Sequence, residues 1–225
     1  MKATEADRER MRELRRSGLG IEEISRIMGF STGTVWATVK DVPVPIGLYQ
    51  KRLLVGLFDG AIMDIETTGL NPDMDDIITF GFLVENRVTV MQRIDASAKE
   101  FCEAAKSRIS ELPCPLYAYN ARFEKAFLSS KLGVELDIVD IFQPWMERAE
   151  SEGVKYPALD ELARLPREYF REKPLKGEEV TFLWRSYQKT REKRKLSPIV
   201  RHCMEDLIQG LYVLAQVNIP IDRQG

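Results

Sequence analysis

The residues best suited to chemistry lie in the string Ile62-Met63-Asp64-Ile65-Glu66-Thr67-Thr68-Gly69-Leu70. In an extended strand, residues two apart share a face, so Asp64 and Glu66 present their carboxylates side by side. Their neighbours Ile62, Met63 and Ile65 are apolar and argue for burial. Two like charges buried together are costly unless a cation compensates them. The pair therefore reads as part of a metal site. Thr67, Thr68 and Gly69 then leave the strand with two hydroxyls and a permissive backbone, which suits close approach of a substrate. The donor inventory narrows the metal. His202 is the only histidine, and Cys102, Cys114 and Cys203 are odd in number with no CxxC spacing. A multi-histidine centre within one chain is thereby excluded, and the cysteines speak against a thiolate zinc site and a disulfide framework. Oxygen ligands favour Mg²⁺ or Mn²⁺.

The elements that must position these groups follow from periodicity. Residues 61–66, 77–84 and 87–94 are strand-like, and a tight Glu85-Asn86 turn joins the last two into an antiparallel meander. Residues 97–112 have helical periodicity, 115–120 read as a buried strand, 121–132 as a helix and 135–142 as another strand. The tail from Ser197 to Gln216 reads as a helix with Ser197 as N-cap and Pro198 at its first position. Strands followed by alternating helix and strand predict a mixed α/β sheet.

The string DIETTGL resembles the first motif of the DEDD 3'-5' exonuclease superfamily, whose members have a ribonuclease H-like fold and use two divalent metals. The second motif of that superfamily, an Asn followed by an aromatic residue and an acid, is matched in YAYNARFEKAF by Asn120, Phe123 and Glu124. The third, a Tyr or His before an Asp on the last helix, is matched in RHCMED by His202 and Asp206. The likeness spans roughly residues 60 to 215. Two departures stand out: Glu124 where Asp is usual, and a histidine in the spacing of the tyrosine type. The resemblance implies hydrolysis of single-stranded DNA or RNA from the 3' end with two Mg²⁺ or Mn²⁺ ions. It makes Asp64, Glu66, Glu124 and Asp206 the metal ligands, with Asp64 the candidate bridge, and Thr67, Thr68, Asn120 and Phe123 the substrate contacts. His202 and Asp206, four apart on a helix, share a face, so His202 falls beside the attacking water as a candidate base. Asp140 is a candidate for a group behind the ligands, and Asp160 reads as a cap or surface residue.

Ahead of this region, residues 4–17 read as a helix interrupted by Gly18 and Gly20. Ile21, Ile24, Ile27 and Met28 recur at helical spacing, Gly29 makes a turn, and Ser31 caps a third helix bearing Val35 and Val39. Residues 1–41 thus resemble a helix-turn-helix unit, with Thr32, Thr34, Trp36, Ala37 and Lys40 facing a partner such as DNA. Residues 1–60 hold ten basic and eight acidic side chains, a weak excess that leaves a protein partner open. Pro43 and Pro45 mark residues 42–52 as a linker, and 53–225 as the ribonuclease H-like domain.

The 225 residues carry a net charge of -2, which excludes a uniformly basic nucleic-acid binder. That total averages opposed regions. Residues 61–86 hold six acids and no bases, whereas 185–201 hold seven bases and one acid. The basic run, with Lys193, Arg194 and Lys195 at its centre and Trp184 and Tyr187 at its border, predicts a path for single-stranded nucleic acid. No apolar run approaches the ~18 residues of a membrane span, and the charged N-terminus is unlike a signal peptide. A soluble, intracellular, cytoplasmic protein is expected, with no membrane partner. Two other functions fit the same residues: a regulator that binds nucleic acid without cutting it, and an endonuclease on the same fold.

Overall fold

A computed structural model of the chain describes residues 3–44, 46–52, 58–163 and 175–218. Three short helices come first: α1 (Glu5–Arg16), α2 (Ile21–Met28) and α3 (Thr32–Val39). They close around Met11, Ile24, Val35 and Val39, all essentially inaccessible to solvent. Each boundary has a local cause. Thr4 and Asp7 cap α1 reciprocally, Gly29 ends α2 in the left-handed region, and the Ser31 hydroxyl accepts the Thr34 N–H at the start of α3.

The remaining strands are β1 (Ile46–Arg52), β2 (Ala61–Thr67), β3 (Ile77–Val84), β4 (Arg87–Arg93), β5 (Leu116–Ala118) and β6 (Ile138–Asp140). They form a six-stranded mixed sheet in the order β1-β4-β3-β2-β5-β6. The meander β2-β3-β4 is antiparallel, and β5 and β6 join it parallel to β2. Helices α4 (Ala98–Ile109) and α5 (Ala121–Leu132) connect β4 to β5 and β5 to β6. This is the expected ribonuclease H-like α/β arrangement. The stretch read as a linker is corrected in part. Residues 46–52 pair with the whole of β4 as an edge strand, because a proline-preceded segment can donate its N–H groups along one open edge. The expected boundary at residue 53 and the call on Pro45 lie outside the described residues.

The sheet is covered on both faces. Ala61, Met63 and Ile65 of β2 pack with Phe80, Phe82, Phe101 and Phe127 against α4 and α5. The alternate residues face α9 (Leu196–Asn218), whose Val200, Cys203, Leu207 and Ile208 meet Ile62, Leu83, Val88 and Val90. Three further helices flank this layer: α6 (Gln143–Glu152), α7 (Leu159–Ala163) and α8 (Gly177–Thr190). Helix α9 begins at Leu196 after a 3₁₀ turn over Lys193–Lys195, so Ser197 lies inside it and is not its N-cap.

Candidate active site

Asp64 and Glu66 occupy the α9 face of β2, opposite Gly81 and Thr79 of β3. Gly81 decides how near the helix comes. A Cβ there would collide with Cys203 Sγ and Leu207 Cδ1, so only glycine lets α9 settle against the strand pair at this height. Thr79, behind Glu66, donates to Gln92 Oε1 at 2.9 Å, and Gln92 in turn donates to the Ile78 and Arg93 carbonyls. That buried amide network ties β3 to β4 in register beside the carboxylates.

Glu124 arrives from the first turn of α5 and is 4% exposed. Its helix starts at Asn120, which adopts a left-handed conformation (φ 61°) and donates its backbone N–H to Asp140 at 3.1 Å. The same Asp140 oxygen accepts the Phe142 N–H at 2.9 Å. Asp140 therefore ties the turn before α5 to the turn before α6, behind the acids. Asp206 and His202 come from α9. His202 Nδ1 lies 3.6 Å from Asp206 Oδ1, and Nε2 lies 3.8 Å from Glu66 Oε1. Ligand atoms of Glu66, His202 and Asp206 all fall within 4.8 Å of one another.

The electrostatics of this cluster are unfavourable without a cation. Burial pushes the Asp64 carboxyl well up, Asp206 adds to the rise, and hydrogen bonds from the Cys203 thiol and the Ile65 N–H oppose it. Burial likewise raises Glu66, with Asp64, Asp206 and Glu124 contributing. Glu124 is raised by burial and then by Asp64. For Asp206 burial raises, His202 lowers, and Asp160 raises. Asp64 Oδ2, Glu66 Oε1 and Glu124 Oε2 are buried without a hydrogen-bond partner. Oxygen atoms left unsatisfied in this way cost stability unless something positive meets them. The donor set and its orphaned oxygens fit a hard divalent cation.

A groove of about 650 Å³ opens beside Glu66. It is lined by Thr67, Thr68, Gly69, Leu70 and Phe123, and by Gly177, Glu178, Thr181 and Arg185 of α8 with Lys176 at that helix's N-cap. Thr67 donates its hydroxyl to the Gly69 carbonyl, and Thr68 donates to Asp75 at 3.2 Å, so both threonines shape the loop as well as line it. Phe123 also stacks on Phe127 at 4.9 Å between centroids, joining groove and core. Asn120 is exposed and does not line the groove.

The centre of the basic run is placed elsewhere. Lys193, Arg194 and Lys195 follow the far end of α8 and do not line the groove. Arg194 pairs with Glu192 at 2.6 Å, and Lys195 donates to Ser186 and Thr190 at 2.8 and 3.0 Å. Arg185, at the start of the same run, does reach the groove. Its exposed guanidinium shows no hydrogen bond or ion pair among the described residues. Two neighbours of the site escaped the sequence reading, the α8 wall and Cys203, whereas Asp160 is exposed in the first turn of α7, as a cap or surface residue would be. For α8 a signal existed, since Val180, Trp184 and Tyr187 recur at helical spacing and are buried.

A family model, RNase_H_2 of the RNase_H superfamily, matches residues 61–218, the span that contains every one of these carboxylates. The chain belongs to the RNase_H superfamily. As an RNase H-like protein it has a nuclease fold, which points to a hydrolase acting on nucleic acid. No curated protein matches the chain. One solved structure, titled "apo form of the nuclease", is 12% identical, covers 76% of this chain and 90% of its own, and superposes with a TM-score of 0.36. No helix among the described residues is long and apolar enough to cross a membrane.

Proposed function

We propose that the protein is a DEDD-type 3'-5' exonuclease that removes nucleotides from single-stranded DNA or RNA. The observation that carries this is the convergence of Asp64, Glu66, Glu124 and Asp206 from three separate elements, three of them with a buried oxygen that has no partner. A protein that only bound nucleic acid would gain nothing from negative charge where phosphates arrive. The four carboxylates would hold two Mg²⁺ or Mn²⁺ ions, which when bound would activate water and stabilise the departing 3' oxygen. The order of the three motifs along the chain, with DIETTGL first, supports action at a 3' end. In the reaction a water oxygen bonds to phosphorus and gives up a proton, the bond from phosphorus to the 3' oxygen breaks, that oxygen takes up a proton to become the new 3' hydroxyl, and a nucleoside 5'-monophosphate leaves.

The residues of this chain supply position. Thr67 to Leu70 and Phe123 form the apolar and hydroxyl-bearing side of a path for the terminal nucleotide, and Lys176 and Arg185 face it with positive charge. Sequence-tolerant contact of this type, charge for phosphate and apolar surface for base, suits a single strand. Residues 1–41 serve as a helix-turn-helix that contacts nucleic acid through α3. Thr32, Trp36 and Lys40 fall on one stripe at a spacing of four, all exposed, with the Lys40 ammonium 5.6 Å from the Trp36 ring centre. Thr34 belongs to another face, where its hydroxyl meets Ser31 at 2.9 Å and it lines a hollow with Arg8 and Arg12.

The test is incubation of end-labelled single-stranded DNA and RNA with Mn²⁺ or Mg²⁺. Stepwise loss from the 3' end, falling by about a thousandfold or more in Asp64→Ala, is expected. Internal cuts make the protein an endonuclease on the same fold, and absence of cleavage with either metal leaves a binding protein.

A further inference from the structure

We infer that the outward stripe of α8, formed by Phe182, Arg185 and Lys189, carries the single strand beyond the groove, with a base stacked on Phe182 and phosphates held by Arg185 and Lys189. The inference rests on the nuclease function proposed above and concerns the nucleotides behind the one that is removed. The geometry of the helix is the first observation. Val180, Trp184 and Tyr187 turn the buried side of α8 to the core. Phe182, Arg185 and Lys189, spaced by three and four, fall together on the opposite side. Phe182 is 70% exposed, and Arg185 and Lys189 are exposed as well.

Continuity with the groove is the second observation. Arg185 lines the groove together with Glu178 and Thr181, so it belongs to the groove and to the stripe at once. A strand whose last nucleotide lies beside Glu66 meets Arg185 on leaving, with Phe182 one turn before it and Lys189 one turn after it on the same face. From Phe182 to Lys189 the stripe spans about 10 Å of helix axis. That is room for about three stacked nucleotides at ~3.4 Å each.

The third observation is which groups are free to meet a ligand. Arg191 pairs with Asp95 and lies over the Tyr187 ring, Arg194 pairs with Glu192, and Lys195 donates to Ser186 and Thr190. Arg185 and Lys189 have no hydrogen bond or ion pair among the described residues. The acid of the same stripe, Glu178, stands at its groove end and pairs with neither. Trp184 and Tyr187 are 2% and 1% exposed, so of the aromatic rings on α8 it is Phe182 that a base can reach. One apolar side chain at a surface is ordinary. A ring sharing a stripe with two unpaired cations matches a single strand, which brings a base for the ring and phosphates for the charges.

Fluorescence anisotropy of labelled oligothymidylate and oligouridylate on the full chain, with chelator present to prevent cutting, tests this. A trinucleotide fills the groove, whereas a dodecanucleotide reaches the stripe as well, so the unaltered protein should hold the longer strand about tenfold more tightly or better. Phe182→Ala should weaken the dodecanucleotide between about five- and a hundredfold without changing its salt dependence, and Phe182→Trp should restore it. Lys189→Gln should lower the slope of log affinity against log salt by about 0.7. Both losses should be smaller than about twofold for the trinucleotide. Thermal melting confirms that each variant is folded. An unaltered protein that holds the two lengths equally, or variants that match it on the longer one, would overturn the path and leave the groove in place. If Phe182→Ala instead breaks an assembly of copies in sedimentation while strand binding persists, the stripe is a protein interface and the inference fails. If the unaltered protein neither binds nor shortens either length, the nuclease function falls as well.

Discussion

Helix α1 and the seam between β2 and α9 both concentrate charge, and they treat it in opposite ways. On α1, Arg12 meets Glu5 and Glu9 at 3.0 and 3.1 Å, Arg16 meets Glu9 at 3.0 Å, and Arg10 meets Glu13 at 3.0 Å. Every one of these groups has water on one side and an opposite charge on the other. At the seam, acids from β2, α5 and α9 gather with one histidine, and the orphaned oxygens are buried. The first arrangement lowers the energy of the folded chain slightly and asks nothing of the surroundings. The second raises it, and survives because the sheet and α9 are held together by apolar packing on both sides of the acids. Charge that is buried and unpaired marks the place where a ligand is expected.

Apart from removal of an acid itself, the largest expected effect comes from the position that holds the seam closed. Gly81→Ala pushes a methyl into Cys203 Sγ and Leu207 Cδ1. Overpacking of this kind destabilises by about 1–3 kcal/mol. Because α9 carries Asp206 and His202, any retreat also separates them from Glu66. Nuclease activity should fall by roughly a hundredfold, the cost of about 1 Å of misplacement, while chemical denaturation shows the modest loss. Undiminished activity in Gly81→Ala would mean that α9 does not need its present approach.

The next effect has the opposite sign for stability. Glu124 is raised above its ordinary value of 4.5, first by burial and then by Asp64. A carboxyl with a raised pKa binds more protons folded than unfolded. Its favourable contribution is complete below its ordinary value and is lost as pH rises through the folded value. Metal-free protein should therefore become less stable from mildly acidic to alkaline pH. Glu124→Gln removes that charge and can donate to the neighbouring acids. It should stabilise the metal-free protein at pH 8 by on the order of 1–3 kcal/mol, with the advantage shrinking as pH falls, while metal binding weakens. Denaturant titrations at several pH values with chelator read this directly, and a destabilised Glu124→Gln would contradict it.

The two regions also differ in how far they were legible in the sequence. Caps and short apolar periods are local, so Gly29 and Ser31 marked their helices, and the strand spacing of Asp64 and Glu66 put both on one face. The meander and the strands after it followed from the same periodicity. What escaped depends on partners distant in the chain. Strand β1 was hidden because its pairing partner, β4, lies some forty residues away and Pro43 suggested a linker. The charges of the basic run masked the apolar stripe of α8, so Lys193, Arg194 and Lys195 seemed the strand path, whereas Arg185 lines the groove. The spacing of His202 and Asp206 showed a shared helix face. Only the approach of α9, permitted by a glycine on another strand, brings that face to Glu66.

The smallest effect belongs to α1 and completes the contrast. Arg12 is the centre of its network, and both Glu5 and Glu9 raise its pKa through hydrogen bonds. Pairs of this kind lie in water, are screened by salt and must hold long side chains in one geometry, so their net contribution is small. Arg12→Ala should leave the melting temperature within about 2 °C of the unaltered protein, with the difference fading further in high salt. Cleavage of a short single strand should not change, because Arg12 lies on the hollow of the N-terminal unit and not on the groove beside Glu66. A larger loss of cleavage in Arg12→Ala would show that α1 takes part in handling the substrate, and would place functional charge in the paired surface network as well as the unpaired buried one.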